Sequence, residues 1–435
     1  MPYKHELANS LGMAELLSEG NREWFLKRLK TYGRKEFIDD DDAYLSGLKI
    51  VDAQNLKRSV DFTKAIAIDG SLASVEKPSV TALKIASVWG DLTLQPEYLE
   101  GAIDPSSVSR KYQREFSVGL LPGKDVFPKG KEGNWDTKFR EEFFNTMFNA
   151  RVHRNVKGTN LVRFLWRLLD GHMPDFPCPN CGLDKVDFTS DGFVTTCFEC
   201  KVEVFITDYL SLSFFTASAS ATQPMLLMEQ MLLHALIHGV HDGNVPGYGL
   251  DDTLFIADGP LRMFMLPEIA RTALESIQAM KPYPAVVSFM KSGHIENIFE
   301  NPKADEMLLP GHVALITDEM RDRRKGDIKK QAASGLYGKS FAYRTRDGMK
   351  RYGFMLPPKL GSLSAEHAHS SIIDEWFNYP HLRSVVDFIE QNASNANGPE
   401  VASLEIIGAA NNAASLPYDL SKRLLGELVE EGLGA

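Results

Sequence analysis

Cysteine is scarce in this sequence: four residues, Cys178, Cys181, Cys197 and Cys200, in a chain of 435. In a cytosolic chain disulfides are disfavoured, so a metal site is the better reading of these four than a disulfide or free thiols. Long apolar runs are missing too. None reaches the ~18 residues of a membrane span, and Met1-Pro2-Tyr3-Lys4-His5-Glu6 carries no signal-peptide core, so a cytoplasmic protein with no membrane partner is expected. Positive charge is in deficit. Lys and Arg number 48 against 58 Asp and Glu, a formal charge of −10, which confines any nucleic-acid contact to local basic patches. No G-x-x-x-x-G-K-[ST] occurs, so the chain has no P-loop with which to hold a nucleotide. The composition, 43% hydrophobic and 24% charged, is that of a globular protein, and the length allows two or three domains around a large core.

What is present is organised around Lys64-Ala65-Ile66-Ala67-Ile68-Asp69-Gly70-Ser71-Leu72. A short, continuous apolar run of this kind suits a central strand covered on both faces, and it ends on a carboxylate and a glycine. Thr253-Leu254-Phe255-Ile256-Ala257-Asp258-Gly259-Pro260-Leu261 repeats the device. Either copy alone reads equally as a strand closing on a tight turn. Side by side, they would bring together two carboxylates, which are stable as a pair only with a shared proton or a cation between them. Hard oxygen ligands favour Mg²⁺ or Mn²⁺, the equipment of phosphodiester cleavage.

Between the two strands, Met225 to His238 forms a nearly all-apolar helix whose one acid is Glu229. A lone carboxylate there is costly unless it is paired, metal-bound or at a wet rim. His234 and His238 stand four apart on the same helix, but without an acid in an H-E-x-x-H arrangement they read as core or surface histidines. Residues 1–60 and 140–170 carry apolar stripes at helical spacing, the second with Arg151, Arg154, Arg163 and Arg167, which suit either a DNA backbone or a solvated face. Ser211 to Pro224 reads as a linker, and Val313 to Glu319 as a strand ending in acids that include Asp318. Arg321, Arg323, Arg324 and Lys325 lie in the densest basic run, either a phosphate grip or a surface loop.

The two C-x-x-C knuckles, Cys178-Pro179-Asn180-Cys181 and Cys197-Phe198-Glu199-Cys200, give the sharpest local signal. Four thiolates on two knuckles are the ligand set of a structural, tetrahedral Zn²⁺. The residues between them, from Val186 to Val194 with Ser190-Asp191-Gly192 as a turn, read as the hairpin of a zinc ribbon. A staple on a small insertion and a DNA- or protein-binding finger both remain open for it.

The order of these elements resembles the NurA nucleases. The resemblance rests on Ile68-Asp69-Gly70-Ser71, then the strand-like Thr81 to Trp89, then a Glu on an apolar helix, then Ile256 to Leu261. Weaker matches follow in Ala285 to Ser292, which ends in Lys291-Ser292, and in Arg351 to Pro357, so that residues 60–360 are covered in order. The resemblance implies an α/β fold, an RNase H-like mixed sheet flanked by helices. Here that core carries an inserted four-cysteine zinc ribbon, absent from the family's pattern, and helical N- and C-terminal segments. The expected division is 1–60 helical, 61–170 first part of the core, 171–210 ribbon, 211–374 second part of the core, and 375–435 helical. It further implies a deoxyribonuclease in which Asp69, Glu229 and Asp258 hold Mn²⁺ or Mg²⁺, with Lys291 near the DNA. The partner would be a HerA-type hexameric ATPase, the enzyme a homodimer, and the setting DNA end resection or anti-phage defence. The family also closes on a Tyr-Pro segment with a nearby His; Tyr379-Pro380-His381 has the residue types but lies early, which makes His381 a candidate fourth catalytic residue. The alternative from another class is a non-catalytic adaptor whose ribbon and basic loops bind nucleic acid or protein.

Overall fold

The structure is a computed structural model that describes residues 48–76, 80–93, 113–122, 134–150, 160–169, 177–183, 186–188, 192–210, 219–263, 267–290, 302–317, 337–360 and 374–391, with a few isolated positions. The elements below all belong to one compact unit, Lys49–Ala435.

A nine-stranded mixed sheet forms the core. Its strands are β1 (Lys49–Asp52), β2 (Lys64–Glu76), β3 (Val80–Thr93), β4 (Gln113–Pro122), β7 (Thr253–Asp258), β8 (Ala285–Met290), β9 (His312–Leu315), β10 (Lys339–Arg344) and β11 (Arg351–Leu356), in the order β1-β9-β10-β11-β8-β7-β2-β3-β4. β5 (Val194–Thr196) and β6 (Glu203–Phe205) form a separate antiparallel pair. The meander β2-β3-β4 is antiparallel, and β7 then returns parallel to β2 with β8 parallel to β7. This is the RNase H-like arrangement expected from the sequence. Beyond β8, the strands β11, β10, β9 and β1 extend the sheet with antiparallel pairings.

Strand alternation assigns the two faces. Ala65 and Ala67 of β2, Leu254 and Ile256 of β7, and Val287 and Phe289 of β8 pack against α6 (Leu382–Gln391) through Leu382, Val385, Val386 and Phe388. The other face carries α1 (Asn134–Asn149) against β4 and α3 (Ala219–His241) against β2 and β3. α2 (Leu161–Leu168) packs on both α1 and α3; α4 (Pro267–Gln278) links β7 to β8, and α5 (Pro302–Met307) precedes β9. Because β2, β7 and β8 are covered on both sides, their apolar runs are continuous rather than alternating.

Three boundaries differ from the sequence reading. Lys49–Asp52, expected in a helical segment, is a strand paired to β9, since Ile50 and Val51 suit a sheet edge better than a helix. The helix expected from Met225 already begins at Ala219, because an Ala- and Thr-bearing stretch taken as a linker continues the helix. In the ribbon, the antiparallel pair brackets the second knuckle, with Val194 opposite Phe205, rather than lying between the knuckles.

The ribbon is pinned to the core by charge as well as by packing. Arg140 of α1 and Asp208 are each 2% exposed at the side chain and meet through Nε to Oδ1 at 2.7 Å and Nη2 to Oδ2 at 2.5 Å. Arg140 Nη2 also donates to the Glu203 carbonyl at 2.8 Å, and the Phe205 amide donates to Asp208 at 2.8 Å. Phe144 packs at a tilt against Phe205, with ring centroids 5.2 Å apart. Removing one partner of such a pair strands the other charge in the interior. Arg140→Met should therefore lower stability by about 3–5 kcal/mol, read as a fall in thermal midpoint, whereas Arg271→Met at an exposed position of α4 should leave the midpoint within about 1 °C.

Candidate functional site

The two Asp-Gly strands lie next to each other. Lys64 to Ile68 of β2 pair in parallel with Thr253 to Ala257 of β7, so the register carries on to set Asp69 beside Asp258. Both acids continue the alternation that faces α6. β7 stops at Asp258, and Gly259, at φ +93°, turns the chain away through a conformation that glycine alone adopts without strain. β2 runs on to Glu76. Beyond Ile68 its β7-side edge has no strand partner among the described residues, which leaves a notch beside Asp69 and Gly70.

Glu229 reaches this notch from the opposite face. A Cβ placed on Gly70 would lie 2.2 Å from Glu229 Oε1 and 2.9 Å from Met225 Cγ, so α3 approaches β2 as closely as it does only because residue 70 has no side chain. Asp69 is 5% exposed and Glu229 3%, while Asp258 is half-buried. Two buried acids and a third at the rim are thus gathered at one end of the sheet. Among the described residues, the group of potential metal ligands whose atoms all lie within 4.8 Å of one another is the four cysteines.

A polar strap, invisible in the sequence, ties the helix to the turn after Asp258. Tyr337 Oη donates to Gln230 Oε1 at 2.5 Å and lies 3.1 Å from His234 Nε2, while the Tyr337 amide donates to the Leu261 carbonyl at 3.1 Å. With its hydrogen on Gln230, the Tyr337 oxygen accepts from His234, which sets that ring as the neutral Nε2–H form. Burial, with the neighbouring His238, lowers His234 to about 3, so it stays neutral. Gln230 follows Glu229, and Leu261 lies three residues past Asp258, so the strap fixes two of the three acids relative to each other. His238 bonds Ser276 Oγ at 3.2 Å and packs edge-on to Phe164; both histidines serve the interior.

The cysteines form a second site. Cys178 and Cys200 have sulfurs 3.7 Å apart, as do Cys181 and Cys197. A disulfide requires ~2.05 Å, whereas a tetrahedron of thiolates around zinc at ~2.3 Å has edges of ~3.8 Å. The two knuckles share one backbone pattern. Cys178 N donates to Leu183 O at 2.8 Å and Gly182 N to Cys178 O at 2.9 Å; Cys197 N donates to Val202 O at 2.9 Å and Lys201 N to Cys197 O at 3.0 Å. Gly182 and Lys201 both take positive φ, +73° and +60°, to close these turns. The cysteine cluster therefore fits a structural zinc, and a closed four-sulfur shell leaves no position for catalysis.

Comparison with solved structures finds similarity along nearly the whole chain to NurA. The crystal structure of the NurA nuclease from Sulfolobus solfataricus is 10% identical, with 97% of each chain covered and a TM-score of 0.30. A second NurA crystal structure is 9% identical over 94% of this chain and 96% of that one, with a TM-score of 0.31. A crystal structure of NurA with manganese is 9% identical over 91% and 94%, with a TM-score of 0.30. No protein-family model and no curated protein matches the sequence.

His381 is not part of the carboxylate end. Its Nε2 lies 3.0 Å from the Tyr283 carbonyl and its Nδ1 3.0 Å from Ser59 Oγ, and its ring stacks on Tyr283 at 5.6 Å. Tyr283 precedes β8, whose Phe289 is level with Asp258, so His381 sits roughly 20 Å away along the strands. Both ring nitrogens are engaged, and burial lowers its pKa, which suits a strut under the sheet rather than a proton carrier. Arg167 pairs with Asp242, so its charge is committed to the fold. Lys291, Arg321, Arg323, Arg324 and Lys325, together with Asp318, Arg151 and Arg154, lie outside the described residues.

Metal analysis of the purified chain should return about one zinc per polypeptide. A chelator strong enough to strip it should loosen the ribbon, seen as proteolysis between residues 178 and 200; a preparation loaded with iron, or metal-free and equally resistant, would contradict the assignment.

Proposed function

We propose that this chain is a metal-dependent nuclease that hydrolyses DNA phosphodiesters at the carboxylate end of the sheet. One observation carries the reading: two apolar strands, each ending in Asp-Gly, lie in parallel register while a buried helix sets Glu229 against the glycine of one of them. Neither strand-end turns nor helix packing requires this. A Glu buried against a side-chain-free position beside a second buried acid is expensive, and a divalent cation would offset part of that cost.

Asp69, Glu229 and Asp258 would hold Mn²⁺ or Mg²⁺, hard cations suited to carboxylate oxygens, and such ions supply an activated water and stabilise the departing 3′ oxygen. The remaining contributions belong to the protein. Burial of Asp69 and Glu229 excludes bulk water and strengthens every charge interaction at the end of β2. The Tyr337–Gln230 bond and the Tyr337–Leu261 bond keep Glu229 and the Asp258 turn from drifting apart, as supporting partners of metal ligands do. The similar structures, a NurA nuclease and NurA with manganese, accord with this reading. By the resemblance of its sequence motifs to the NurA nucleases, the working form would be a homodimer served by a HerA-type hexameric ATPase. The chain has no nucleotide-binding loop of its own, so translocation along DNA would fall to that partner.

The test is degradation of linear and single-stranded DNA in Mn²⁺, with and without a HerA-type ATPase. Asp69→Asn and Asp258→Asn should each lose at least about a hundredfold in rate while keeping the wild-type thermal midpoint within a few degrees. Degradation that survives both substitutions would point to a contaminating nuclease and leave the adaptor reading standing. Gly70→Ala separates geometry from charge. The added methyl meets the flexible end of Glu229 rather than backbone, so it should displace that carboxylate, costing stability about 1–2 kcal/mol but Mn²⁺-dependent cleavage tenfold or more.

A further inference from the structure

The carboxylate end has a wall that the strand register builds. β11 runs antiparallel to β8, with Phe354 opposite Phe289 and Phe289 opposite Asp258, so the β10–β11 turn emerges at the same end of the sheet as the acids. Arg351 is three residues past Phe354, which sets the turn ~10 Å beyond the level of Asp258; β11 and β10 stand two and three strands from β7, ~10 and ~14 Å to the side. Strands β7 and β8 have ended by then. The hairpin therefore rises beside the notch.

Its chemistry is opposite to that of the chain as a whole. From Arg344 to Arg351 there are four cations, Arg344, Arg346, Lys350 and Arg351, against a single acid, in a protein of net charge −10. That acid, Asp347, folds into the turn, accepting from Thr345 Oγ1 at 2.5 Å and from the Met349 amide at 2.9 Å. The hairpin is also braced. Gly348, at φ +73°, packs on Pro310, which a Cβ would approach to 3.1 Å; Arg344 Nε donates to the Gly348 carbonyl at 3.1 Å, and Gly311 N to the Arg344 carbonyl at 3.0 Å. Arg346 is 43% exposed at the side chain, and Met349, at the tip, is 70% exposed.

We propose that the β10–β11 hairpin is a phosphate-gripping wall: it holds the backbone of a bound DNA strand a few nucleotides from the carboxylates, with Met349 offering an apolar surface to a base. The proposal rests on reading the carboxylate end as a nuclease site. A rigid cationic hairpin roughly 15 Å from the acids matches a contact about four or five nucleotides away, at ~3.4 Å per nucleotide along a duplex strand. Arginine and lysine to phosphate supply position and affinity without sequence preference, and exposed methionines are among the side chains that wedge against bases. Such a grip suits an enzyme that must accept any sequence.

The decisive experiment pairs DNA binding with cleavage of a substrate too small to reach the wall. Arg346→Ala/Lys350→Ala removes two cations and keeps every backbone bond of the turn; Asp387, which loses Arg346, retains Arg383 at 2.9 Å. Binding of a fluorescent 20-nucleotide single strand, without divalent metal, should weaken about tenfold at 0.1 M salt. The slope of log affinity against log salt should shrink by about 1.4, or ~0.7 for each lost phosphate contact. Lys281→Ala, an exposed cation at the opposite end of the strands, should change neither. Hydrolysis of bis(p-nitrophenyl) phosphate in Mn²⁺ should proceed at the wild-type rate in the double variant. An unchanged affinity and salt slope would overturn the wall and point to an acidic protein surface as the hairpin's partner, even with cleavage intact. Loss of diester hydrolysis in the wild type itself would instead defeat the nuclease reading while leaving the binding result interpretable.

Discussion

Gathering carboxylates in a protein interior is costly, and much of this structure is arranged around that cost. Each buried charge loses its hydration, and like charges raise the free energy further unless a cation or a proton intervenes. The chain meets this demand by geometry before chemistry. β7 ends one residue after its pairing with β2, Gly259 carries the backbone out of the way, and Gly70 gives up its side chain so that Glu229 can lie against the strand. The Tyr337 strap then fixes the helix to the turn with neutral groups, so that it adds no charge to a site already rich in it. An uncharged strut beside the acids leaves the local electrostatics to the carboxylates themselves.

The ribbon bears on the same site at one remove. Its own core is small, with Cys178, Val186, Cys197 and Val204 packed with Leu183, Phe188 and Tyr209, too little to hold three-residue strands together unaided. A metal held by the four sulfurs would make up that deficit, and the Arg140–Asp208 pair links the ribbon to α1. From there, α2 packs on α3, the helix that carries Glu229. A staple on the periphery thus supports the element whose placement matters most.

Much of this was legible in the sequence where chemistry is dense. The Asp69 and Asp258 strands, the Glu229 helix and the cysteine knuckles all declare themselves by composition over a few residues, and the fold class came from the resemblance of their order to the NurA nucleases. Relations between distant segments were not legible. Nothing in Gln230, His234 or Tyr337 singly suggests a strap, because a hydrogen-bonded triad spread over 107 positions has no local pattern. His381 misled for the opposite reason. Its residue type suits catalysis, but strand direction places it at the far end of β8, and only the parallel register of β7 and β8 reveals that. The two β-strands of the ribbon bracket a knuckle instead of separating the pair, since the turn that closes them is the metal loop itself.

Charge segregation is the last consequence. A chain of net charge −10 with acids at its site should repel a phosphodiester, and screening in physiological salt reaches only ~8 Å, too short for remote lysines to compensate. Attraction has to be local, either from a cation held between the acids or from basic side chains within about one nucleotide-length of the path. The β10–β11 hairpin meets the second condition at the end of the sheet where it is needed, and its single acid is folded into its own turn. On the proposed reading the two devices would act at different ranges: ions held among the carboxylates would draw in the phosphate to be cut, while the hairpin cations would act on its neighbours along the strand. Neither substitutes for the other. A site with metal alone would hold one phosphate and let the strand pivot, and one with the wall alone would hold the strand against the negative charge of the carboxylate end.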